Sequence, residues 1–161
     1  MILFKFSYLS KALAAMMILA WQATPAPAAP QTVIKDQVVL DKLLGKHLFA
    51  LQWISWSHFG YVEVVYGDGT LTISGSQESR KGNDYVRIDG VIPEVGTLYF
   101  KFQGTIVTRI SHINGGRPCR RQGPMTFRIT GKRKYWRLKQ MDNPCDGVTD
   151  YVDVFFQRPG R

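Results

Sequence analysis

Between Leu98 and Ile110 the even positions read Leu, Phe, Phe, Gly, Ile, Thr, Ile, while the odd positions include Tyr99, Lys101, Gln103, Thr105 and Arg109. A period of two places alternate side chains on opposite faces of a strand, so this run has one dry face and one wet face. It is also about twice as long as an ordinary strand of five or six residues. The glycine at its centre, Gly104, permits a bend there. A long strand bent at mid-length belongs to a sheet that wraps around its own core.

The same logic recurs. A pattern of apolar, any, apolar, any, Gly occurs at Leu71–Gly75, Val86–Gly90, Phe100–Gly104 and Phe127–Gly131. Each glycine shares the face of its two apolar partners and removes a side chain from it, which either bends the strand or ends it in a turn. Gly67-Asp68-Gly69 and Asn114-Gly115-Gly116 supply turn chemistry between β-prone runs, and Arg80 to Asp84 reads as a polar loop. From Leu48 to the Tyr151–Gln157 segment this predicts about eight strands in an all-β antiparallel meander, closed or nearly so.

Ahead of the strands, Val33 to Lys46 sets Val39 and Leu43, and Leu40 and Leu44, four residues apart with Gly45 behind them, which predicts a short N-terminal helix. Residues 1–28 place Lys5 and Lys11 before an apolar run, Ala12 to Trp21, and a small-residue site at Ala26-Pro27-Ala28. That order is expected of a cleavable signal peptide, since the apolar core is about ten residues and a spanning helix needs about twenty. No cysteine stands there to carry a lipid. The expectation is a single β-barrel domain over 29–161, periplasmic or secreted, with no transmembrane segment in the mature chain.

Cys119 and Cys145 are the chain's only cysteines. In an oxidising compartment a pair is expected to join. The residues between them read as a hairpin broken at Gly131 to Lys134. Met125, Phe127 and Ile129 form a dry face with Trp136 and Leu138, but a symmetric fold would oppose Phe127 to Arg137. The faces therefore demand a one-residue offset, absorbed by a bulge or by loops at Arg120 to Pro124 and Asp142 to Pro144.

The chain carries a formal net charge of +9, and its basic residues concentrate in this hairpin without an acid among them from Arg109 to Lys139. Arg120, Arg121, Arg128, Arg133, Arg137 and Lys139 are the candidate anion-binding residues, because guanidinium groups pair bidentately with phosphate or carboxylate. The alternative is a solvated face partly neutralised by Asp142, Asp146, Asp150 and Asp153, with Asp153 pointing outward. Nucleic acid ranks low as a partner for an exported chain.

Aromatic side chains offer a second candidate surface: Trp53, Trp56, Phe100, Phe102 and Trp136. Phe49, Leu51 and Trp53 are expected on one face of a first strand, with Ile54 and Trp56 on the other. They either fill the core or line a ligand pocket. His47, His58 and His112 are scattered and read as surface or loop residues. Ser55 and Ser57 beside His58 lack a third partner, no ligand spacing suggests a metal or cofactor, and the aspartates around Cys145 match a calcium loop poorly.

A short helix, a tryptophan-bearing first strand and about eight meandering strands resemble, in architecture only, the calycin barrels of the lipocalin and avidin type. The resemblance implies a small barrel able to hold an apolar ligand. Gly45 and Trp53 stand too far apart for the Gly-x-Trp of lipocalins, so no residue roles carry over. The first expectation is a non-enzymatic binding protein for an envelope component, anionic lipid or small amphipathic ligand. The second is a protein-binding module or enzyme inhibitor that presents the hairpin to an acidic protein. A third is an outer-membrane barrel, against which stand the outward Lys101, Arg128 and Arg137.

Overall fold

The computed structural model describes residues 30–156; the leader expected over residues 1–28 lies outside them. A two-residue strand β1 (Val33–Ile34) precedes the helix α1 (Gln37–Leu43). Eight strands follow: β2 (Gly45–Leu51), β3 (Gly60–Gly67), β4 (Thr70–Glu78), β5 (Tyr85–Gly96), β6 (Tyr99–Arg109), β7 (Cys119–Arg128), β8 (Tyr135–Leu138) and β9 (Val152–Phe155).

Each strand from β2 to β9 pairs antiparallel with the next, and β9 returns to β2 through Phe49↔Val154, Ala50↔Asp153 and Leu51↔Val152. The expected meander is therefore a closed eight-stranded barrel. The helix begins later than its apolar spacing suggested, because Val33 and Ile34 are drawn into a parallel pairing with Glu94 and Val95 of β5. Asp36 then caps the first turn by accepting from the Val39 N–H at 3.1 Å.

Gly75, Gly90 and Gly104 stand inside strands β4, β5 and β6, whereas Gly131, at φ 62°, follows the end of a strand in a turn. Gly90, Gly104 and Gly123 lie in one row across β5, β6 and β7. A Cβ on Gly104 would fall 2.3 Å from the Asp89 carbonyl oxygen and 2.7 Å from both the Gly90 Cα and the Phe102 ring. The strands approach this closely only because no side chain separates them, and Phe102 covers the bare patch.

Val62, Val64, Leu71, Ile73, Val86, Ile88, Phe100, Phe102, Ile106, Phe127, Trp136, Leu138, Val152 and Val154 fill the interior, joined at one end by Val39, Leu40 and Leu43 of α1. Phe100 stacks on Phe127 at 4.9 Å and meets Trp136 edge-on at 5.9 Å. Outward positions such as Glu63, Ser74, Arg87, Asp89, Lys101 and Gln103 are polar and exposed.

His47 departs from expectation. It is buried, with Nδ1 2.8 Å from the Phe155 carbonyl oxygen and Nε2 2.7 Å from that of Leu43, and it pins α1 to the last strand. Beside β1, Glu94 receives Tyr99 Oη at 2.5 Å, Lys101 Nζ at 3.1 Å and Lys35 Nζ at 3.0 Å. The hydrogen bond from Tyr99, with those from Lys35 and Lys101, lowers the Glu94 carboxyl to about 2.

Candidate functional site

The barrel wall is incomplete along β7. Phe127 pairs with Leu138 and Arg128 with Arg137, which is the one-residue offset that the face pattern required. Beyond this the backbones make one more bond, Lys139 N–H to Thr126 O at 2.8 Å, and the Gln140 side chain accepts from the Thr126 N–H at 3.0 Å in place of a strand. After Gln140 the chain leaves the sheet and turns through a compact loop closed by the Asp142↔Thr149 bridge.

The far end of that loop is tied back by the expected disulfide, Cys119–Cys145, with Cα atoms 5.9 Å apart. Between the last backbone bond and the disulfide lies a groove of about 360 Å³, lined by Arg120, Arg121, Gln122, Pro124, Met125, Gln140, Asp142 and Pro144.

Residues 120–124 read as a loop in the sequence, yet β7 runs through them to Cys119. Arg121 pairs with Ile106 and shares the inward face of Gly123, Met125 and Phe127. Its side chain is only 6 % exposed and reaches Asp150 at 2.8 Å and the Asp142 carbonyl at 3.0 Å through Nη2. Asp150 also accepts from Trp53 Nε1 at 3.0 Å and Asn143 Nδ2 at 3.0 Å. Arg121 Nε and Nη1 are buried without any hydrogen-bond partner among the described residues. Buried N–H donors normally find one, and leaving one unmatched costs about 1–3 kcal/mol.

The candidate cations do not form one basic face. Arg120 and Lys139 are exposed beside the groove and Arg121 forms its floor, but Arg128 lies at the other end of β7 over the Tyr99 ring, 5.9 Å away. Arg133 is exposed in the hairpin turn. Arg137 is spent on Asp153, with Nε–Oδ1 at 2.7 Å and Nη2–Oδ2 at 2.6 Å, and it stacks on the Tyr151 ring at 4.1 Å.

Asp153 does point away from the core, but this cover leaves it 0 % exposed. Burial pushes the Asp153 carboxyl up, the guanidinium opposes this, and the same hydrogen bonds raise Arg137. Two of the acids expected to neutralise the patch, Asp150 and Asp153, thus do so as buried pairs.

The aromatic candidates divide as well. Phe100, Phe102 and Trp136 are fully buried core residues. Because β2 stops at Leu51, Trp53 and Trp56 lie in the following loop rather than on opposite strand faces. Trp53 serves the Asp150 cluster and meets His112 edge-on at 5.9 Å, while Trp56 is 50 % exposed. Gln77 shapes this loop: its Oε1 accepts the Leu51 N–H at 2.7 Å and its Nε2 donates to the carbonyls of Ser55 and His58.

Ser55 Oγ accepts from the N–H groups of Ser57 and His58, and His58 Nε2 faces the Glu78 carbonyl, so the serines and the histidine form no nucleophile–base pair. Among the described residues no group of three or more His, Cys, Asp or Glu is placed to hold a metal ion.

No solved structure matches this chain. It is 51 % identical over 116 residues to "Uncharacterized protein PM1083" of Pasteurella multocida (strain Pm70), covering 72 % of this chain and 74 % of that protein. The PM1083 family model matches residues 31–156, the whole barrel with β1 and α1, and the chain belongs to that family.

Proposed function

We propose that the chain is an exported, non-enzymatic binding protein whose ligand site is the groove beside β7 and not the barrel interior. The observation that carries this reading is Arg121, held at the groove floor with Nε and Nη1 lacking acceptors while Arg120 stands exposed at the rim. Phe100, Phe102 and Trp136 are used in packing and are set aside as ligand contacts. A ligand with anionic or other acceptor groups, such as an amphipathic envelope component, matches the groove's donors and its apolar Met125, Pro124 and Pro144. The disulfide fits an oxidising compartment, and the polar exterior fits an aqueous one better than a bilayer, where outward faces are apolar.

The test is native mass spectrometry of protein recovered from its own envelope, beside a variant with the groove blocked by Gln140→Trp. The reading expects a retained adduct on the first and a depleted adduct on the second. Bare protein in both, or equal adduct in both, overturns it.

A further inference from the structure

The groove contains a row of backbone groups without a partner among the described residues. Thr126 directs its N–H and carbonyl to Gln140 and Lys139, away from β6, so its cross-strand partner Lys101 is a non-hydrogen-bonded neighbour. Orientation repeats every second residue in an antiparallel ladder. The next residues of the same parity, Pro124, Gln122 and Arg120, sit opposite Gln103, Thr105 and Val107 in an unbroken register. Their backbone groups therefore also point away from β6, into the space that β8 would occupy if it were longer. β8 ends at Leu138, and among the described residues no backbone bond joins β7 to the chain beyond Lys139. A proline at 124 agrees with this, since a strand interior admits proline only where no ladder N–H is needed.

Closing a barrel removes strand edges, and this one keeps an edge open for about three residue pairs along a groove flanked by arginine. We infer that the groove binds an extended acidic polypeptide segment of a partner protein, which adds as a short strand to β7 through the N–H groups of Gln122 and Arg120 and the carbonyls of 120, 122 and 124. The inference rests on the reading of this groove as the ligand site and names its ligand class. Main-chain pairing supplies affinity, and side chains on alternate positions supply selection.

An acidic side chain of the segment meets Arg120 at the rim, above a floor to which Arg121 contributes. A second copy of this chain is the poorer occupant, because it is itself strongly basic, even without Lys5 and Lys11 of the expected leader, and would meet Arg120 at the rim. Gln140 marks where the added strand stops, since its side chain already occupies the Thr126 N–H.

The probe is a capped hexapeptide, acetyl-Thr-Glu-Val-Glu-Val-Thr-amide, titrated into the full mature chain and followed by amide NMR and hydrogen exchange. Expected are saturable shifts along 119–126 and slowed exchange at the Gln122 and Arg120 amides by about tenfold or more. N-methylation of the peptide at alternate residues, or Gln122→Pro, weakens binding by at least about tenfold. Gln122→Pro leaves the pairing with β6 intact because that N–H is not used there, and unchanged amide shifts in β6 verify its fold. Arg120→Ala weakens the acidic peptide and leaves a Thr/Val peptide unaffected.

The inference is overturned if the Gln122 and Arg120 amides do not respond at millimolar peptide. It also falls if inorganic phosphate gives the same response as the peptide, or if these amides respond only to protein concentration, the mark of self-pairing. A non-peptide adduct recovered from the envelope and lost with Gln140→Trp overturns the peptide ligand while the binding reading survives. Bare envelope protein together with silent titrations removes both.

Discussion

Arg121 Nη2 lies 2.8 Å from Asp150 Oδ2, and with side-chain exposures of 6 % and 1 % both charges have left water. Such a pair is compensated only while both members are present. Asp150→Asn therefore leaves a buried guanidinium without its counter-charge and is expected to lower unfolding stability by about 3 kcal/mol. Arg121→Met combined with Asp150→Asn costs less than the two changes summed, because the second change then acts on an interaction already gone. Urea unfolding of the three variants measures this; an Asp150→Asn midpoint equal to wild type contradicts the pairing.

The glycine row makes a contrast testable by one methyl group. Gly104→Ala places a Cβ against the Asp89 carbonyl and the Gly90 Cα, while at Gly131 nothing lies within 4 Å and only the positive φ resists. The first change is expected to cost about 3 kcal/mol and to disturb the β5–β6 amide shifts. The second costs about 1 kcal/mol and stays local. Equal effects at the two sites would show that strand approach at Gly104 is not what limits substitution.

Glu94 predicts an acid limb in the stability profile. Its folded pKa, about 2, lies below the ordinary 4.5, so the stabilisation it brings is complete above 4.5 and is lost as pH falls through about 2. Glu94→Gln removes that share of the slope and leaves behaviour above pH 6 parallel to wild type. Denaturation midpoints from pH 6 to pH 2 decide it, and an unchanged slope in the variant sinks the assignment.

Breaking the disulfide acts on both stability and the groove. A loop with a sequence separation of 26 is worth about 3.5 kcal/mol in the chain-entropy account. Cys119→Ser with Cys145→Ser should show that loss, and hydrogen exchange in 141–150 should rise before that in the β3–β6 wall. A loss below about 1 kcal/mol, or uniform exchange, would mean that the loop's own bonds and Asp150 already hold it.

What could be read from the sequence was whatever depends on a period of two. The strands around Phe100 and the hairpin with Phe127 across from Leu138 follow from which residues share a face, and the disulfide follows from two cysteines placed at the base of that hairpin. Carrying Met125's parity back through Gly123 would also have turned Arg121 inward, but Gly123 and Pro124 look like a loop when one cannot see that the proline sits on an unpaired edge.

The fates of individual charges were not legible. Whether Arg137 is free or locked depends on Asp153 arriving beside it in β9, and His47 looks like a surface residue until α1 and Phe155 close around it. Local pattern also overran at Leu51: Gln77, from another strand, decides that the chain turns there and carries Trp53 and Trp56 off the sheet.

The pairing of Phe49 with Val154 joins the first long strand to the last. No earlier portion of the polypeptide can complete the ring, because the sheet from β2 to β8 waits with two bare margins for the four residues of β9. Contacts so distant along the chain form late and slowly. The ring thus stays open, with its apolar interior unsealed, until β9 has been made and has docked between β2 and β8.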